Sequence, residues 1–504
     1  MGYRQRLDMK RGIIHLRKIA IKFNKKDFEY DVYSLVRAFY PSSTAKMYYH
    51  GEEIAEAFEL FIELTYEMSN ILLQICEVDQ EVFNEAIMID YYADRKDTKN
   101  QLKCLLYRAL AKLTKQDLPW GTLTGIRPTK IPTRLVESGM SNVDVAAYMR
   151  NTYYASNEKT SLAIAIVNQE QAILHEFDYQ NGYSLYIGIP FCPSICLYCT
   201  FGSHPIGQYQ DVVEAYLVAL FKEIDFVAEA FAGKTLDTIY IGGGTPTTLT
   251  AKQLRRLLQK VCTSVDTSSL QEFTVEAGRP DSITEEKLQV LADFPVTRIS
   301  INPQTMNQST LDIIGRKHTV LETKEAFNLA RKMGFDNINM DLIIGLPDED
   351  EEAVVNTLEQ VAKLEPDSLT VHSLALKRAA QLTIFKEEYC QMSSLNSQAI
   401  MDLAANEAVA LGMRPYYLYR QKNIAGNFEN VGYAKPEKMG IYNILIMEEK
   451  QTIMAVGAGA ATKLVFAKGL RVERVENVKD VHTYITRIDE MIERKRIGIE
   501  KWLK

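Results

Sequence analysis

Between residues 185 and 373 the sequence alternates six times between a short apolar, β-prone run and an amphipathic stretch. The runs are 185–189, 237–241, 272–276, 297–301, 338–344 and 368–373, separated by stretches such as Glu214–Ala230, Ala251–Val265 and Glu351–Leu364. Six β–α steps predict an α/β fold with a parallel sheet, either open or curled into an incomplete barrel. In such folds ligands collect at the carboxyl ends of the strands, so the residues just after each run are the candidates for function.

After the first run, Pro190 ends the strand pattern and Cys192, Cys196 and Cys199 follow within a few residues. Three chemistries compete for such a loop. A structural zinc site needs a fourth ligand, and His204 is the only nearby candidate. A disulfide would leave one cysteine over and does not suit a chain without a secretion signal. An iron–sulfur cluster is held by thiolates, usually four, and a loop offering three leaves one iron open to another ligand. The spacing CxxxCxxC resembles the cluster-binding signature of radical S-adenosylmethionine (SAM) enzymes, which favours the cluster. In that superfamily the open iron is chelated by the amino and carboxylate groups of SAM.

The other runs are followed or ended by polar features. Gly242-Gly-Gly-Thr-Pro-Thr247 comes after the second, where missing side chains let backbone N–H groups approach a ligand; a tight βα turn is the plainer explanation. Glu276 ends the third run, Gln304 follows the fourth and Asp341 lies within the fifth. Taken singly, Glu276 is expected to pair with Arg279 or Arg298, and Arg316-Lys317-His318 to form a solvated turn. Asp341 is more informative, because a carboxylate in an apolar run needs a partner or ligand. Asp348–Glu352 reads as a helix start, and His372 as a hydrogen-bonded core histidine.

Ahead of this region, residues 13–23 alternate towards their end as a half-buried strand does, and Val32, Leu35, Val36 and Phe39 fall at helical spacing before Pro41. Helix-like stretches are expected at about 55–75 and 101–113, giving a small α+β domain. Residues 118–132 hold three prolines, two glycines and Trp120, the mark of an ordered irregular segment. It is either a domain connector or a loop whose Arg127 or Lys130 meets an acidic ligand. Cys104 and Cys262 sit in helix-like apolar patterns and read as small core residues; Cys76 and Cys390 are likewise scattered. A net charge of −7 with interspersed signs gives no polycationic footprint for nucleic acid. No segment is long and apolar enough to span a bilayer, and a cytoplasmic protein is expected. The expected organisation is 1–178 as an N-terminal α+β domain, 179–420 as the barrel and 421–504 as a small C-terminal accessory domain.

Together the motifs resemble the oxygen-independent coproporphyrinogen III oxidases (dehydrogenases) of the radical SAM superfamily. The resemblance runs from about Tyr183 to Gly459, on Tyr186-x-x-Ile-Pro-Phe-Cys-x-x-x-Cys-x-x-Cys, Gly242-Gly-Gly-Thr-Pro-Thr, Glu276, the Gln304-to-Arg316 spacing and Asp341-Leu-Ile-Ile-Gly-Leu-Pro347. Trp120-Gly-Thr-Leu-Thr-Gly-Ile-Arg-Pro-Thr-Lys130, Tyr442-Asn and Gly457-Ala-Gly-Ala-Ala-Thr-Lys463 look like the HemZ-type branch. The resemblance implies a radical SAM partial (β/α)6 TIM-like barrel. It implies a [4Fe-4S] cluster on Cys192, Cys196 and Cys199, one SAM contacted by Tyr186, Gly243 and Glu276, and positions matching a second SAM at Tyr198, Gly244, Thr245, Gln304, Arg316, Asp341 and Ala375. It implies an oxidoreductase in which a SAM-derived 5′-deoxyadenosyl radical takes hydrogen from substrate propionates. Loss of CO2 and an electron then leaves vinyl groups, turning coproporphyrinogen III into protoporphyrinogen IX for haem synthesis, with an unidentified electron donor as partner. Two departures stand out. Gly188 occupies the place of a histidine in the bona fide oxidases, and Phe201 that of a fourth cysteine; a related branch lacking that cysteine acts as haem chaperones. A haem-binding delivery protein is therefore the rival implication, and a radical SAM enzyme for another substrate a third.

Overall fold

The computed structural model describes residues 17–41, 43–54, 56–78, 80–89, 94–200, 202–375, 396–421, 424, 428–466, 469 and 471–503. Phe201 and Cys390 lie outside these residues. The chain divides into two compact units, Met1–Ile164 with Ala425–Phe428, and Ala165–Ile424 with Glu429–Lys504.

The first unit holds a five-stranded sheet in the order β2-β1-β3-β4-β5. Its strands are β1 (Lys18–Phe23), β2 (Thr44–Tyr49), β3 (Leu60–Tyr66), β4 (Asn70–Glu77) and β5 (Gln80–Met88). Helices Glu29–Phe39 and Arg95–Thr114 bury Val32, Leu35, Val36, Leu102, Leu105 and Leu106. These side chains share one core with Ile19, Ile21, Leu60, Ile62, Leu64 and Ile75 of the sheet.

The helix expected at 55–75 is instead the β3–β4 hairpin, paired from Leu60↔Glu77 to Tyr66↔Ile71. Leu60, Ile62, Leu64 and Tyr66 are buried while Phe61, Glu63 and Thr65 between them are only partly so. That period of two belongs to a strand, and the density of apolar residues hides it from a helical count. The helix at 101–113 lies inside Arg95–Thr114. Trp120 is fully buried, in an irregular segment that leads into helix Lys130–Glu137.

The second unit is built on one eleven-stranded sheet. Its strands are β6 (Tyr183–Ile189), β7 (Leu236–Gly243), β8 (Glu272–Gly278), β9 (Arg298–Ile301), β10 (Ile338–Ile344), β11 (Ser368–Ser373), β12 (Arg414–Tyr419), β13 (Asn430–Ala434), β14 (Thr452–Val456), β15 (Ala461–Phe466) and β16 (Arg471–Glu476). The order is β12-β13-β11-β10-β9-β8-β7-β6-β14-β15-β16. From β6 to β11 every neighbouring pair is parallel and consecutive in sequence. This is the partial (β/α)6 barrel, and all six carboxyl ends lie at one rim. Helices Val213–Ala230, Ala251–Ser264 and Glu351–Ala362 are three of the crossovers, each burying an apolar stripe.

Residues beyond 421 extend the same sheet at both ends. β13 runs antiparallel beside β11, and β14 runs parallel beside β6. Helix Ile488–Leu503 is fixed to helix Val213–Ala230 by an ion pair between Lys495 and Glu223, both side chains fully buried, at 2.5 Å. Glu223 also accepts from Asn477, Tyr484 and the Gly457 amide. Gly457 adopts φ 104°, and a Cβ there would stand 2.5 Å from the Gly188 carbonyl oxygen, so only glycine fits this turn. Among the described residues no helix is long and apolar enough to cross a membrane.

Candidate active site

The rim of β6–β11 gathers most of the residues singled out from the sequence. Pro190 releases the chain from β6 into the cysteine loop, which Phe191–Cys192 pins to His204–Pro205 through a two-residue parallel ladder. Gly244 donates to the Ile189 carbonyl at 2.8 Å and Thr245 to the Phe191 carbonyl at 2.7 Å. A Cβ on Gly244 would lie 2.5 Å from the Phe191 oxygen, which gives the glycine run a packing role against the loop.

Polar side chains stand beside each of the three thiols. Thr245 Oγ1 lies 3.5 Å from Cys192 Sγ, Arg279 Nη1 3.9 Å from Cys196 Sγ and Ser203 Oγ 3.9 Å from Cys199 Sγ. None of the three cysteines is in a disulfide. Among the described residues no three His, Cys, Asp or Glu side chains converge on a single metal ion, and His204 packs against Tyr209 with centroids 4.7 Å apart. Three thiolates on one short loop are the donor set of an iron–sulfur cluster with one iron left open to another ligand.

On the neighbouring strands, Tyr186 and Tyr240 occupy paired positions and their rings stack with that of Tyr442, Tyr240 and Tyr442 having centroids 4.5 Å apart. The Tyr240 hydroxyl donates to Glu276 Oε1. Burial raises the Glu276 carboxyl to about 7, the Tyr240 hydrogen bond opposing and the nearby Asp341 charge reinforcing it. The expected pairing of Glu276 with Arg279 or Arg298 is not what forms: Arg279 forks onto Asp281, and Arg298 donates to Ser368.

The solvated turn expected at 316–318 is also corrected. Arg316 is 3% exposed and His318 0%, with Lys317 alone facing solvent. Arg316 donates to the Tyr198 hydroxyl at 3.0 Å and to the Asn302 carbonyl at 2.6 Å, because its guanidinium is turned into the barrel. Asn302 in turn accepts from the Asp341 amide at 3.3 Å, and Gln304 donates its own amide to the Asp341 carbonyl. Burial works to raise the Asp341 carboxyl, but His372, Asn339 and Thr370 outweigh it and hold the group below its ordinary range. His372 sits between Asp341 and the Tyr419 hydroxyl, at 3.8 and 3.3 Å. Ala375 bridges to Ile424 just past β11.

Among the described residues several buried polar atoms of the barrel have no hydrogen-bond partner, and they include Gln304 Oε1, Arg316 Nε, Ser300 Oγ and both ring nitrogens of His318. Unsatisfied groups of this kind are costly unless a ligand meets them. Sequence reasoning passed over Tyr240 and Asn302; for Tyr240 the available signal was a polar-tipped aromatic two residues before the glycine run. Gly188 is walled by the Val456 carbonyl, the Tyr186 ring and the Ala458 carbonyl, at 3.4, 3.5 and 3.8 Å from where its Cβ would be.

Comparison with known proteins decides the family. Residues 186–361 match the Radical SAM superfamily. The oxygen-independent coproporphyrinogen-III oxidase-like protein HemZ of Bacillus subtilis is 42% identical over 79% of this chain and 81% of its own length. The chain belongs to the radical SAM coproporphyrinogen-III oxidase-like family. Members of the radical SAM superfamily use a [4Fe-4S] cluster and SAM, and the thiol loop and unsatisfied rim atoms fit both. The heme chaperone HemW of Lactococcus lactis is also similar, at 32% identity over 64% of this chain and 80% of its own length. Among solved structures, coproporphyrinogen III oxidase (HemN) from Escherichia coli shares the fold, with a TM-score of 0.51 at 24% identity, covering 64% of this chain and 72% of that one.

Proposed function

We propose that this protein oxidatively decarboxylates the propionate side chains of coproporphyrinogen III to vinyl groups. The observation that carries the reading is the set of unsatisfied polar atoms on Gln304 and Arg316, linked through Asn302 to Asp341, on the same rim as the three-thiol loop. In this reading Cys192, Cys196 and Cys199 hold the cluster. Tyr186, Gly243 and Glu276 contact one SAM; Tyr198, Gly244, Thr245, Gln304, Arg316, Asp341 and Ala375 contact a second. When bound, these groups supply the electron and the 5′-deoxyadenosyl radical that removes one hydrogen atom from a propionate.

The chain's own residues bind and orient. Glu276 is set to receive an ammonium group, whose positive charge draws its carboxyl back to the ionised form. Arg316 pairs with a carboxylate, and the ionised Asp341 accepts from ribose hydroxyls or an amino group. The stacked Tyr186, Tyr240 and Tyr442 rings exclude water from the Glu276 side. Each conversion takes one hydrogen atom, one CO2 and one electron from the propionate, the electron passing to an acceptor; a cluster held by the three cysteines would draw its own electron from a separate donor.

Anaerobic incubation of reconstituted protein with SAM, a strong reductant and coproporphyrinogen III tests this. Loss of two CO2 from the porphyrin, coupled to 5′-deoxyadenosine, supports the proposal; deoxyadenosine without porphyrin conversion opposes it. A second reading, haem binding and delivery, is favoured by the similarity to HemW. A stoichiometric Soret shift on adding haem, with no porphyrinogen turnover, would replace the first reading with the second.

A further inference from the structure

We infer that Arg279 is a positioning residue that seats the cysteine loop and places a positive charge beside the Cys196 sulfur. This rests on the reading of Cys196 as a cluster ligand. Arg279 follows β8 and is 4% exposed. Its Nε and Nη2 grip the two oxygens of Asp281 at 2.9 and 2.6 Å. That two-pronged contact fixes the plane of the guanidinium and aims the remaining nitrogen.

Nη1 points into the cysteine loop, donating to Ser194 Oγ at 2.7 Å and to the Ser194 carbonyl at 3.2 Å, and standing 3.9 Å from Cys196 Sγ. The Ser194 hydroxyl donates in turn to the Gly315 carbonyl at 3.1 Å, and the Leu197 amide donates to the Ile314 carbonyl at 3.1 Å. The middle of the loop is thus held from two sides, by the turn after β8 and by the turn at 314–315. The contact from Arg279 to Cys196 carries a full charge, and the buried Arg316 also acts electrostatically on Cys196. A buried cation and N–H groups near a cluster sulfur stabilise the reduced state and raise the reduction potential.

The two roles separate by variant. Arg279→Met removes charge and anchor, Arg279→Lys keeps charge and loses the fork, and Ser194→Ala loses an anchor with no change of charge. Iron per chain, resistance of that iron to a chelator, and the midpoint potential from an EPR-monitored titration are measured on anaerobically reconstituted full-length protein. Arg279→Met is expected to move the midpoint to more negative potential and to release iron at about a tenfold lower chelator concentration. Arg279→Lys should recover most of the potential but not the iron retention, and Ser194→Ala should lower retention alone. A midpoint in Arg279→Met equal to that of the parent overturns the electrostatic role, and equal retention overturns the seating role. If Arg279→Met fails to fold, the neutral but polar Arg279→Gln takes its place in the same comparison of midpoint and iron retention. Absence of iron in the parent would instead strike at the cluster assignment itself.

Discussion

Tyr240 and Glu276 meet across adjacent strands of the barrel, and this half-buried carboxylate accepts from a neutral hydroxyl and makes no ion pair among the described residues. Loss of solvent outweighs the Tyr240 hydrogen bond and favours the protonated form of Glu276 in the unliganded protein, up to a pKa of about 7. An acid raised in this way contributes stability fully below its ordinary value and loses it as pH rises through the folded value. Between pH 5 and 8 the melting temperature of the parent should fall relative to Glu276→Gln, with at most about 3 kcal/mol at stake. Parallel slopes for the two proteins would contradict this.

Iron analysis after reconstitution separates the loop cysteines from the others. Cys196→Ala should abolish cluster assembly, and Cys262→Ala, on the helix Ala251–Ser264, should leave iron content unchanged. Equal losses would remove the cluster from this loop.

Asp341 is held ionised between Asn339 and His372. Asp341→Asn should leave iron in place while raising the SAM concentration needed for cleavage about tenfold, the effect of losing one charged hydrogen bond. Unchanged SAM dependence in that variant would count against its contact with the cofactor.

Lys495→Met strands the charge of Glu223 in the interior and should destabilise the second unit by about 3–5 kcal/mol. Adding Glu223→Gln should restore part of that loss, measured as the change in thermal midpoint. A double variant no more stable than the single one would locate the effect elsewhere.

Much of the barrel was legible because each of its strands is an apolar run bounded by glycine, proline or polar residues. The runs at 185–189, 237–241 and 338–344 lie within β6, β7 and β10. Local periodicity failed at 55–75, where two strands joined by a short turn carry enough leucine and isoleucine to mimic a helical stripe. It also could not show that Arg316 and His318 are buried, since the partners of Arg316, Tyr198 and Asn302, come from other loops of the barrel. The contact of Arg279 with Ser194 was hidden for the same reason: charge and spacing reveal a pair on one helix, not a contact between loops.

The pairing of β6 with β14, from Tyr183↔Thr452 to Ile187↔Val456, has a consequence for biosynthesis. The strand that launches the cysteine loop gains its second neighbour only when the segment around Val456 has left the ribosome. Long-range pairing of this kind is slow, because the intervening chain must first be brought together. The strand under the cysteine loop is therefore complete on both sides only after β14 has emerged and paired.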